Sequence, residues 1–177
     1  LAGSLALVIE AENATIKTAG GLIGGNWCLW SNGTLAEHVS IPQAGTYGIV
    51  VRAYGSPLGG VWPMMALTVD GVAGETTVVG SSVFTDYSFQ VALTAGVHTI
   101  GVAFTNDAYN PGVEDRNLYL DRFEIYSPPG ADRAALAGDT IGPGGPGVTI
   151  PLQIQSPPNA GGGCSIITAG GSMSDGL

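Results

Sequence analysis

The acidic side chains crowd one stretch of the chain. Asp107, Glu114, Asp115, Asp121 and Glu124 fall within 18 residues and make up five of the 14 Asp and Glu. Strand-like alternation ends near Thr105, a loop carries 106–116, and alternation resumes near Asn117. Carboxylates at both feet of one loop converge in space. Their repulsion must be relieved by protonation, a basic partner or a cation. Hard oxygen donors of this kind, with backbone carbonyls, suit Ca²⁺. The spacing is not that of an EF-hand loop. On spacing alone a solvated acidic loop with Arg116 as counter-ion stands slightly ahead. A second acidic pair is Glu10 and Glu12. Alternate positions on a strand face one way, so the pair could clamp a second cation or form an exposed acidic edge.

Catalytic chemistry has little to stand on. His38 and His98 sit inside strand patterns without a local Ser, Cys or Asp motif, and read as strand residues on a solvated face. No GxSxG, HExxH, GxGxxG or phosphate-binding loop is present. Paired carboxylates can hydrolyse glycosides, but a sandwich of this size rarely holds a deep cleft. A non-catalytic protein is expected. Five basic against 14 acidic residues give a net charge of −9, the reverse of a nucleic-acid-binding surface. The longest aliphatic stretch, Leu5–Ile9, is far too short to span a bilayer.

The elements that must position these residues are strands. Leu5–Glu10, Thr46–Tyr54, Phe84–Leu93, Val97–Thr105 and Leu118–Tyr126 alternate with a period of two. Gly/Pro/Asn/Asp clusters separate them, which indicates an all-β sandwich. Expected core positions are Tyr47, Ile49 and Val51, then Phe89, Val91 and Leu93, then Ile100, Val102 and Phe104. Asp70-Gly71 and Ala95-Gly96 mark tight turns. All 13 aromatic residues lie between Trp27 and Tyr126, so residues 127–177 have none from which to build a core. The chain therefore divides into a globular domain, 1–126, and a Gly/Pro-rich tail, 127–177. Within the tail, 132–138 suggests one or two helical turns. Residues 147–155 read as a strand with Val148, Ile150, Leu152 and Ile154 on one face. Such a strand needs a sheet edge to dock on, its own or a neighbour's. A start at Leu1 rather than Met is expected of a processed chain. The two cysteines, Cys28 and Cys164, allow one disulfide or two free thiols, and the composition suggests a secreted protein.

Three segments together resemble a known family: Val8–Glu12, Ala53–Pro63 with Val69–Gly71, and Phe104–Asp107 followed by Glu114–Asp121. Residues of about 5–126 resemble the calcium-dependent xylan-binding carbohydrate-binding modules of families 36 and 60. The resemblance implies a β-sandwich of jelly-roll type and a bound Ca²⁺ that grips vicinal sugar hydroxyls. It implies Asp107 and Asp115 as side-chain ligands, with Glu114 a third, and Arg116 giving a carbonyl or positioning the loop. It implies Trp62, Tyr109 and Asn110 as sugar contacts. Glu10, Glu12 and Asp121 match positions that hold a structural calcium. The expectation is a secreted module binding polysaccharide through calcium. The alternative is a subunit of an extracellular filament or surface assembly, held together by tail strand 147–155 or the N-terminal strand. A Cys28–Cys164 bond would staple the tail to this or another subunit.

Overall fold

The computed structural model describes residues 3–129. The expected helical turns at 132–138, the strand 147–155 and Cys164 lie outside them. Within the described residues the chain is all β, apart from one 3-10 turn, Ala11–Asn13. The strands are β1 (Ser4–Glu10), β2 (Ile16–Lys17), β3 (Gly21–Ile23), β4 (Asn26–Leu29), β5 (Gly33–Ile41), β6 (Gly45–Ser56) and β7 (Met64–Val69). They continue as β8 (Val72–Val78), β9 (Thr85–Leu93), β10 (Gly96–Phe104), β11 (Tyr109–Asn110), β12 (Glu114–Asp115) and β13 (Asn117–Ser127).

Two antiparallel sheets form the sandwich. One runs β3-β4-β13-β6-β9, with β1 also paired to β13, and the other runs β2-β5-β10-β7-β8. Alternation sends every second side chain inward. Tyr47, Ile49, Val51 and Ala53 of β6 meet Leu118, Leu120, Phe123 and Ile125 of β13, and opposite them lie Ile100, Val102 and Phe104 of β10. Phe89 and Leu93 are buried as expected, with Val91 packed at the margin. The Asp70-Gly71 turn joins β7 to β8, with both residues at positive φ (53° and 78°), the conformation a two-residue hairpin requires.

The five expected strands are present within two residues of their expected ends. Leu5 leaves the expected Leu5/Leu7/Ile9 face, because the β1 register shifts between Leu5 and Leu7. The bulge re-aims one side chain and leaves Leu7 and Ile9 against the core.

The sheet register defines one end of the sandwich. β10 stops at Phe104 opposite Gly33, the first residue of β5. β6 stops at Ser56 opposite Asn117, the first residue of β13. Three loops therefore leave the sheets together: 30–32, 57–63 and 105–116.

Candidate metal and glycan site

The 105–116 loop is closed at its feet. Arg116 N–H donates to the Ala108 carbonyl at 3.0 Å, and β11 pairs Tyr109 with Asp115 and Asn110 with Glu114. Asp107 and Asp115 are thereby brought next to one another from opposite sides of the loop. Asp107 N–H donates to Asn32 Oδ1 at 2.8 Å, which fixes the first foot to the 30–32 loop. Asp115 carbonyl accepts the Ser56 hydroxyl at 2.9 Å, which fixes the second foot to the end of β6.

Strand alternation then sorts the side chains. Glu114 and Arg116 turn to the 57–63 loop. Glu114 Oε2 accepts Gly59 N–H at 2.8 Å. Arg116 Nε donates to the Val61 carbonyl at 2.8 Å, Nη1 to the Asn106 carbonyl, and Nη2 to the Leu58 carbonyl at 3.4 Å. Leu58 and Val61 exchange two backbone hydrogen bonds, and Gly59 and Gly60 between them take φ of 58° and 79°. This small ring sits in the fork of Arg116. Arg116 is 8 % exposed and spends its donors on carbonyls. It makes no direct ion pair with the loop's carboxylates among the described residues, and acts as their counter-ion only at a distance, through its charge on Asp107.

Asp115 turns the other way. Its Oδ1 and that of Asp107 are buried without a hydrogen-bond partner. Burial first, and the neighbouring Asp115 charge second, push the Asp107 carboxyl above the usual carboxylate range. Two partly desolvated carboxylates with free oxygens are costly unless a cation joins them. One oxygen of each carboxylate is thus withdrawn from solvent, unlike a fully solvated loop. Hard oxygens buried without donors suit calcium. Among the described residues no three Asp, Glu, His or Cys are grouped to hold a metal; the carboxylates that come together here are two, Asp107 and Asp115.

Of the expected sugar contacts, Tyr109 is 67 % exposed on the loop, Asn110 is exposed beside it, and Trp62 is half-buried. Asn106 holds Trp62 in place, donating Nδ2 to its carbonyl at 2.9 Å while Oδ1 accepts Met64 N–H at 2.6 Å. Trp30, exposed on the 30–32 loop, and Asn32 are additions that sequence reading missed. Neither carries a charge or a strand pattern to draw attention.

Among the described residues Glu10, Glu12 and Asp121 are not grouped to hold a second metal. Asp121 Oδ2 takes Arg122 at 2.7 Å and Arg52 at 3.3 Å. Glu10 is exposed and lies opposite Arg122 in the β1–β13 register. The Glu12 backbone carbonyl accepts Lys17 Nζ at 2.6 Å, and that ammonium also sits 4.6 Å from the Trp27 ring centre.

The expected Cys28–Cys164 bond is unsupported. Cys28 is a free thiol, 1 % exposed, and burial pushes it up to about 11. Its proposed partner, Cys164, lies outside the described residues. His38 is exposed on β5 as expected. His98 is bound: its Nδ1 meets Asp70 Oδ2 at 2.7 Å and its Nε2 meets the Thr94 carbonyl at 3.0 Å. This trio joins two hairpin turns, and its Thr hydroxyl stays on the imidazole at 3.1 Å.

Together these elements make a two-sheet sandwich with a loop-borne pair of buried carboxylate oxygens at one end. Residues 48–135 match the model of CBM60, described as a Ca-dependent, xylan-binding carbohydrate-binding module. The resemblance read from the sequence and this match point the same way, and the matched stretch contains the whole 105–116 loop.

Solved structures agree on the fold. The CBM36-1 domain of a multidomain xylanase from the hindgut metagenome of Trinervitermes trinervoides is similar at TM-score 0.53 and 21 % identity, covering 69 % of this chain and 97 % of that one. A CBM36 module in complex with calcium and xylotriose gives 0.50 and 20 %, covering 67 % and 98 %. The family 6 module of Cellvibrio mixtus lichenase 5A, in complex with cellotriose, gives 0.50 and 18 %, covering 70 % and 98 %. No curated protein matches the chain.

Proposed function

We propose that this chain is a secreted module that binds xylan, or a like glycan with vicinal hydroxyls, through a calcium ion held by Asp107 and Asp115. One observation carries the reading: the buried, partnerless Oδ1 atoms of these two residues at the feet of one loop. The family match supports calcium and xylan as the pairing, as does the similar module seen with calcium and xylotriose. When bound, the ion supplies direct coordination to sugar hydroxyls, which are otherwise weak partners in water.

The chain's residues do the rest. Asn32 and Ser56 hold the two feet. Glu114 and Arg116 hold the 57–63 loop against the acidic loop, on the side away from the buried Asp115 oxygen. Tyr109 offers an exposed ring face for the C–H groups of a sugar, with Asn110 as a polar contact beside it and Trp62 at the margin. No side chain here moves a proton to or from a substrate.

Retention on xylan in affinity gel electrophoresis tests the reading. Chelation, and separately Asp107→Ala, should each weaken retention at least about tenfold, a loss of about 1.4 kcal/mol. Calcium restores the wild type and not the variant. Full retention in chelator rejects the metal bridge.

A further inference from the structure

Three side-chain atoms in the described residues are buried without a hydrogen-bond partner: Asp107 Oδ1, Asp115 Oδ1 and Asn117 Oδ1. All three are oxygens, and they fall within 11 residues of one another. Buried polar atoms are nearly always satisfied, so three orphan acceptors with no orphan donor are short of positive charge. The first two belong to the calcium site proposed above. The third is neutral and has drawn no role so far.

Its orientation follows from neighbours. Residues 114 and 116 face the 57–63 loop, and Leu118 faces the core. Alternation therefore puts Asp115, Asn117 and Tyr119 on the opposite side. Tyr119 lies opposite Cys28 in the β13–β4 register and stacks on Tyr54 at 4.3 Å, so this side of the strand is covered. Asn117 Oδ1 is buried there and meets no donor. Asn117 N–H is used as well, donating to Ser56 Oγ at 3.1 Å, the same hydroxyl that holds the Asp115 carbonyl. Ser56 therefore locks the spacing between Asp115 and Asn117.

We infer that Asn117 Oδ1 is a third side-chain oxygen of the calcium centre, beside Asp107 and Asp115. Amide oxygens are ordinary calcium ligands. A neutral third donor raises coordination number without adding repulsion to two carboxylates already crowded together. The inference rests on the metal reading of the previous subsection.

Calcium titration of the chelated full chain, by calorimetry and by melting temperature, separates the two. Asn117→Ala should weaken calcium binding at least about tenfold, while its melting temperature in chelator stays close to wild type. Asn117→Asp should bind calcium more tightly than wild type and melt lower without it, because affinity follows ligand charge. Tyr119→Phe keeps the stacked ring and leaves the Asn117 oxygen in place, so its calcium affinity should stay within about threefold of wild type. Wild-type affinity in Asn117→Ala, or no gain in Asn117→Asp, overturns the inference and leaves the two-carboxylate site standing. A wild type that takes up no calcium overturns both.

Discussion

Arg116 shows how one side chain sets the shape of a loop. A guanidinium has a rigid fork of donors, and here the fork takes the carbonyls of Leu58, Val61 and Asn106. The Leu58 and Val61 carbonyls also take each other's N–H, so the fork gives each a second donor and ties them to Asn106. Arg116→Ala should cost about 3 kcal/mol, since a buried bond to a charged donor contributes about 1.5–3 kcal/mol and the Asn106 carbonyl loses its donor. Arg116→Lys should recover little of that, because an ammonium is a point charge on a flexible stem. Urea unfolding measures both, and a midpoint shift worth less than about 0.5 kcal/mol would show that the fork is idle. The sequence pointed to Arg116 as a residue that matters but not to its partners. Charge patterns suggest carboxylates as partners for an arginine, and backbone carbonyls leave no mark in a sequence. Asp107 and Asp115 were legible for the opposite reason: like charges on both feet of a loop demand an explanation. Asn32, Ser56 and Asn117 carry no charge, so only the fold reveals them.

At the scale of elements, most long two-faced strands were legible; β5 was not, because Leu35 and Ala36 are both buried and break its period, and short or one-sided strands other than β1 were missed too. β6, β9, β10 and β13 alternate over nine residues or more, and a period of two is hard to produce otherwise. β7 is a buried run, Met65 to Thr68, with no polar face to display the period. β8 is the reverse, exposed along almost its whole length. β11 and β12 have two residues each and exist only because the acidic loop folds back on itself. Turns between elements carry their own chemistry. His98, near the start of β10, ties Asp70 of the β7–β8 turn to Thr94 before β10. The hydrogen bond to Asp70 holds the His98 imidazole above its ordinary range. The Thr99 N–H and His98 hold the Asp70 carboxyl below its own. A raised histidine contributes stability that is full below its unfolded value and lost as pH rises through the folded one. A depressed carboxylate contributes stability that is lost as pH falls through its folded value. The two together favour mildly acidic pH. The melting temperature of wild type should therefore fall between pH 6 and pH 8 relative to His98→Gln, and equal pH slopes in the two proteins would show the tie to be inert.

At the scale of the whole molecule the net charge of −9 bears on which glycan can be held. A single bound calcium offsets two of those charges, so the loaded module remains strongly acidic. The field of a protein charge reaches about 10 Å at 0.1 M salt and further at lower salt. A sugar chain longer than the site lies within that reach wherever it crosses the surface. A neutral xylan carries nothing for the field to act on. Its affinity should change by less than about twofold between low and high sodium chloride, because coordination and ring contacts are short-range. A xylan bearing uronic acid side groups meets two opposed forces. Its carboxylates are drawn to the calcium at contact and repelled by the rest of the surface at a distance. Only the second force is strongly screened, so added salt should strengthen binding of the acidic glycan several-fold. Isothermal titration of both polymers at two ionic strengths, with calcium saturating, measures the difference. Should the acidic polymer bind more tightly at low salt, its carboxylates are being drawn to the metal strongly enough to outweigh the whole surface. The module would then select charged glycans, and the hydroxyl pair would be its secondary partner.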